Sequence, residues 1–298
     1  MRSHRSFPSG RIASGLLLVL SLAALTAARA GRNDAIVVSA SATSDYARSL
    51  DAEGRPAPET YVFMEGEYMG GGTADKSEGK MSFDALTRVL AENLIKQNYV
   101  PTRNVPEAKL LIRVVWGTTL TYEDPQRQQN IESLNAAVAE YTESYEAIGL
   151  ADPGRINEIT MTQGLEQNTA DSAIERNALL LGYKRAMDKL SRRIIATGDE
   201  QDMRLELNEE RYFVVLLAYD YELLRQTKKS KLLWITRLSI RSPGNNFTEA
   251  LPMLALAGAE SYGRNVDDLQ RVKVRNLPGG DVNMPDIKVL GTAGDARK

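Results

Sequence analysis

Six consecutive residues, Phe213 to Ala218 in the stretch RYFVVLLAYDYE, are apolar without alternation. A strand with one wet face alternates apolar and polar residues, so a run of this kind is buried on both faces and is central in its sheet. Every other element has to be arranged around it. KLLWITRLSIR follows, with Trp234, Thr236, Leu238 and Ile240 on one face and Leu233, Ile235, Arg237, Ser239 and Arg241 on the other. The alternation predicts that Trp234 is buried beneath a helix and that Arg237 and Arg241 are at least partly exposed.

Upstream, YVFMEGEY (Tyr61 to Tyr68) reads as a strand and KLLIRVVWGTT as another. Between them Ser82 caps a helix whose apolar stripe is Phe83, Leu86, Leu90 and Leu94. Asn98 suits the left-handed end of that helix and Pro101 stops it. Strand, helix, strand predicts a parallel pair joined by a right-handed crossover. The last strong helix carries Phe247, Leu251, Leu254, Gly258 and Tyr262 on one side, with Pro252 in its first turn or kinking it.

The region between these blocks has a different period. Ile131, Leu134, Val138, Tyr141, Tyr145 and Ile148 are spaced three and four apart, as in a coiled-coil seam. After GLADPG a second stripe holds Ala173, Leu180, Tyr183, Met187, Leu190 and Ile194, with Arg176 on the same lattice. The simplest packing is an antiparallel helical hairpin. A seam for another protein's helix, or self-association through the hairpin, is the alternative. The expected fold class is therefore α+β, a mixed sheet packed with helices plus an inserted hairpin. The expected organisation is a loose arm at 31–59, an α/β domain at 60–275 with the hairpin at about 126–197 and at most a short strand near RVKV at its end, and a loose tail at 276–298.

The first thirty residues read as a signal peptide. Arg2, Arg5 and Arg11 precede an apolar run from Ile12 to Leu25, and Ala28 and Ala30 stand where a signal peptidase needs small residues, with cleavage after Ala30. The run is shorter than the ~20 residues a membrane span requires, which disfavours an uncleaved anchor. The expected location is periplasmic or extracellular, with no integral membrane span after cleavage. The leader holds four arginines and no acid, so 33 of the 37 basic residues remain against 39 acids, the wrong sign for a nucleic-acid binder. The basic run KKSK from Lys228 to Lys231 reads as a solvated turn.

Two absences narrow the chemistry. The single histidine is His4, in the leader, and there is no cysteine. That excludes a Ser-His-Asp triad, a Cys-His pair, a His-ligated zinc and a disulfide from the processed chain, and the sequence calls for no cofactor or metal. The loop GGGTADKSEGK fails as a phosphate-binding loop because Ala74 and Met81 stand at two required positions. Ser77 and Lys80 match S-x-x-K, but so short a match arises about once by chance and its companion motifs are absent. Carboxylates remain. Glu65 and Glu67, two apart on one strand, are either a glycosidase-type pair or the wet side of an edge strand.

The junction SIRSPGNNFTEALP is the other candidate. Asn245 or Asn246 can cap the helix, and Arg237 and Arg241 on the preceding strand could meet an acidic group of a partner. The simpler reading is a strand-to-helix turn with a good cap.

YVFMEGEY, LAENLIKQNYVP, AKLLIRVVWG, KLLWITRLSI and the helix from Phe247 to Gly263, in that order, resemble a family of uncharacterised exported bacterial envelope domains. Similar small α/β modules occur in lipoproteins that activate penicillin-binding proteins and in the amino-terminal domain of the Tol-system periplasmic protein. The resemblance implies a non-enzymatic binding or assembly module whose partner is another envelope protein. The chain departs from the lipoproteins in lacking the anchor cysteine. A carboxylate-dependent enzyme acting on glycans is the rival.

Overall fold

The computed structural model describes residues 35–70, 77–121, 170–191, 198–273 and 289–290. The leader with Ala28 and Ala30, the glycine-rich loop at 71–76 and the first half of the expected hairpin lie outside them. The apolar run from Phe213 to Ala218 lies in β5 (Arg211–Asp220). It lies between β4 (Leu110–Thr118) and β6 (Leu232–Arg241), antiparallel to both. The remaining strands are β1 (Ala35–Ala42), β2 (Glu59–Met69), β3 (Tyr99–Pro101), β7 (Gln270–Lys273) and β8 (Val289–Leu290). Their order is β3-β2-β4-β5-β6-β1-β7, with β8 pairing β2 off this path. β2 runs parallel to β3, β4 and β8, and the other pairs are antiparallel, so the fold is α+β with a mixed sheet.

Helices are α1 (Ser77–Lys80), α2 (Phe83–Leu94), α3 (Ala170–Leu181), α4 (Lys184–Ser191), α5 (Gly198–Asn208), α6 (Tyr221–Thr227) and α7 (Phe247–Ala257). They make two layers. On the first face α2 and α7 pack against Tyr61, Phe63, Val114, Trp234, Leu238 and Ile240. On the second, α3, α4 and α5 cover Val37, Val115, Phe213, Val215 and Ile235. The unbroken apolar run of β5 follows from this, since Phe213 and Val214 face different cores and both are fully buried.

The caps follow the sequence. The Ser82 side chain accepts from the Ala85 N–H, and Asn98 takes φ 58° after a short 3-10 turn. Pro252 lies inside α7, past its first turn. Lys228 and Lys229 form an exposed turn, as expected.

Four expectations are corrected. Ala35–Ala42, placed in a loose arm, is an interior strand paired with β6 and β7; its neighbourhood of Pro and Gly obscured a run whose alternate residues feed both cores. Val289–Leu290, placed in a loose tail, pairs with Phe63–Met64. The stripe from Ala173 to Leu190 does not run as one helix. Gly182, at φ 79°, breaks it into α3 and α4, and Leu180, Tyr183 and Leu190 join the second core. A three-four stripe fixes a helix face and says nothing of what that face meets; here it meets the sheet. The fourth concerns Arg237. Its face is covered by those same helices, and it is 1% exposed.

Candidate partner-binding site

The four residues singled out at the junction are all described, and most of them hold the fold. β6 ends at Arg241, and a tight turn through Gly244 leads into α7. Asn245 donates its backbone N–H to the Ser242 carbonyl (2.9 Å) and its side-chain amide to the Arg241 carbonyl (2.8 Å). The Asn246 side chain accepts from the Thr248 N–H (3.0 Å), which is the expected cap. The preceding N–H, on Phe247, donates to the Ser77 hydroxyl of α1 (2.8 Å) in a buried bond. The end of α7 that could have attracted an anion is thus met by two side chains of the protein itself.

The arginines divide. Arg237 lies opposite Ser39 of β1, and its side chain runs beneath Gly182 at the α3–α4 break. Arg241 lies opposite Arg211 at the sheet's end, is ion-paired to Glu209 at 3.3 Å, and has about a third of its side chain exposed (34%). Arg211, which sequence reasoning passed over, is 3% exposed and donates to the Ser239 hydroxyl (3.2 Å) and carbonyl (3.4 Å). Arg176 of α3 is buried on the same side.

These cations share the second face with a polar clasp. Glu206 of α5 takes two bonds from Arg271 of β7 (3.0 and 2.9 Å) and one from the Tyr183 hydroxyl (3.0 Å). Burial pushes the Tyr183 phenol well up; the Arg211 charge opposes this and the Glu206 charge adds to it. It stays protonated and serves as a donor. The hydrogen bonds that Arg271 donates to Glu206 in turn push its pKa above the ordinary guanidinium value and hold it charged. Asn177 of α3 donates both to the Leu120 carbonyl and to the Leu207 carbonyl, each at 3.0 Å, tying α3 to the end of β4 and to α5. The sequence signal for this network was weak, because arginines and an asparagine on apolar lattices read as surface positions.

The carboxylate pair is separated. Glu65 pairs with Val114 and Tyr68 with Trp116, so Gly66 and Glu67 together stand against the single Val115. This β-bulge shifts the alternation by one. Val114 faces the first core and Val115 the second, which places Glu65 and Glu67 on opposite faces of the sheet. The S-x-x-K match also dissolves, since the Ser77 hydroxyl is buried against α7 while Lys80 is exposed. The neighbouring Glu78 is fully buried beside Tyr68; burial raises that phenol and the Glu78 charge adds to it.

A second network was missed because half of it lies in the supposed arm. Tyr46 donates to Glu59 (2.6 Å) and its hydroxyl meets that of Tyr99 (2.9 Å). The Arg48 guanidinium stacks 4.3 Å from the Tyr99 ring and donates to the carbonyls of Gln97, Ala57 and Asn98. A cation on the terminal carbonyls of a helix is a favourable end for it.

Between α4 and the chain entering β7 is a shallow polar recess lined by Ser39, Ser41, Gly182, Ala186 and Asp268, with room for about one water. Among the described residues no three His, Cys, Asp or Glu side chains converge to hold a metal ion, and no helix is long and apolar enough to cross a membrane.

No family model and no curated protein matches the chain.

Proposed function

We propose that the protein is an exported cell-envelope module that binds or assembles other envelope proteins and does not catalyse a reaction. The observation that carries this reading is the division of labour at the β6–α7 junction. Arg237 is sealed between sheet and helices, Asn245 and Asn246 hold the turn and the helix end, and Arg241 reaches water. Arg241 and Glu209 form a partly exposed ion pair, which an acidic group of a partner can replace at little cost. Glycosidase chemistry needs two carboxyls on one cleft, whereas the bulge in β2 turns Glu65 and Glu67 apart. The leader ending at Ala30 supports export.

The test uses residues 31–298 as bait in an envelope extract, followed by titration with the purified partner. A saturable complex is expected, weakened about tenfold or more by Arg241→Glu. Hydrolysis of glycan strands by the purified protein, lost in Glu65→Gln, would overturn the reading in favour of a carboxylate enzyme.

A further inference from the structure

The chain from Asn265 to Lys273 runs along the outer edge of β1, and two different kinds of contact hold it. At one end β7 pairs residue by residue, Ala35 with Lys273 through Val38 with Gln270. At the other, the Val266 N–H donates to the Ala40 carbonyl (3.0 Å) and the Asn265 side chain accepts from the Ala42 N–H (2.9 Å). Between these anchors β1 advances from Val38 to Ala40 while the strap advances from Val266 to Gln270. The surplus residues bow out beside Ser39 and form one wall of the recess.

The bow carries charges that meet the helical layer. Asp268 pairs with Lys189 of α4 at 3.0 Å and Asp267 with Arg185 at 3.8 Å, and just beyond them Arg271 makes its two bonds to Glu206 of α5. Apolar support is thin: Leu269 and Val272 are only partly buried against the two cores. The chain enters the strap through Gly263 at φ 68°, packed so closely that a Cβ there would lie 1.8 Å from the Tyr99 hydroxyl, so the turn on the body side is fixed.

We propose that residues 265–273 are an ionically latched strap. It opens as a unit when its three ion pairs to α4 and α5 are weakened, while the rest of the sheet stays folded. The three pairs are partly or largely exposed, so salt screens them, whereas the apolar contacts and the β5–β6 ladder are insensitive to screening. Opening uncovers the outer edge of β1 and the Ser39–Ser41 recess, and an uncovered edge is a surface on which an extended segment can pair.

The experiment is amide hydrogen exchange by NMR on residues 31–298 at low and high salt. The Ala42 and Val266 amides report the strap directly; Val215 and Leu216 report the centre of the sheet. High salt is expected to speed exchange at Ala42 and Val266 by about tenfold and leave Val215 and Leu216 unchanged. Glu206→Gln is expected to do the same at low salt. Exchange of Ala42 and Val266 at the same rate as Val215, or exchange indifferent to salt, would overturn the proposal. The salt arm on the unaltered chain decides it if the variant does not fold.

Discussion

Trp234 and Arg237 are three residues apart on one strand, and strand alternation places them on opposite faces. Trp234 is fully buried, with ring centroids 5.4 Å from Tyr99 and 6.3 Å from Tyr262. Trp234→Ala is expected to cost about 3–5 kcal/mol, the range for emptying a large aromatic site. Arg237 is as deeply enclosed, so Arg237→Ala should cost more than about 2 kcal/mol, because the packing of its long stem is lost and a cavity is left behind. Arg241→Ala should stay within about 1 kcal/mol, as for a partly exposed pair. Denaturant titration of the three variants separates these values, and an Arg237 variant as mild as the Arg241 variant would show that the second face is loosely covered. Asn177→Ala leaves the Leu120 and Leu207 carbonyls without their buried donor and should lose about 1–3 kcal/mol by the same measurement. The faces of these residues were legible from period alone. Whether a face was wet or dry was not, since that depends on a helix more than forty positions away in the chain.

Helices and strands with a strong period and a cap were legible: β4, β5, β6, α2 and α7 stand where spacing and capping residues put them. The elements that were lost share a physical cause. The strand β1 carries Ser39 and Ser41, small and polar yet buried or nearly so, because Gly182 comes so close that a Cβ on it would lie 2.3 Å from the Ser39 hydroxyl. Small polar residues beneath a close approach look like loop in a sequence. The helix α6 hides in a short link, although Asp220 caps it by accepting from the Leu223 N–H at 2.9 Å. The bulge in β2 has no local signature beyond Gly66, and it alone undid the pairing of Glu65 and Glu67. Two outcomes follow at this scale. Gly182→Ala combines a left-handed φ with that contact, so it should destabilise by about 1–3 kcal/mol or more in thermal or chemical unfolding. Replacing residues 170–191 by a Gly/Ser linker should abolish cooperative unfolding, because α3 and α4 supply most of the helical side of the second core. A sharp transition in that variant would return these helices to the status of an insertion.

Among the described residues, five tyrosines with raised phenols sit in or beside the two cores. Tyr61, Tyr99 and Tyr262 lie in the first core with Tyr46 at its edge, and Tyr183 lies in the second. Burial raises each phenol above its ordinary value of 10.0, and for Tyr46 the neighbouring Tyr99 and Glu59 add to the effect. Tyr99 is pushed up to about 12 by burial, even though its bond with Tyr46 and the Arg48 charge pull the other way. The folded protein therefore keeps these protons at a pH where the unfolded chain has begun to lose them. Below about pH 10 neither state is ionised and the contribution to stability is complete. Above it the unfolded chain gains by ionising, and stability falls steadily until the folded phenols also titrate, which for Tyr99 is near pH 12. Tyr99 alone accounts for a loss of up to about 3 kcal/mol across that window. Stability by denaturant titration should be level on the approach to pH 10 and then drop steeply. Tyrosinate absorbance from the buried phenols should appear together with the loss of secondary structure. If the five tyrosines ionise near pH 10 while the fold remains intact, the phenols are reachable by water and the two cores are more open than their burial implies.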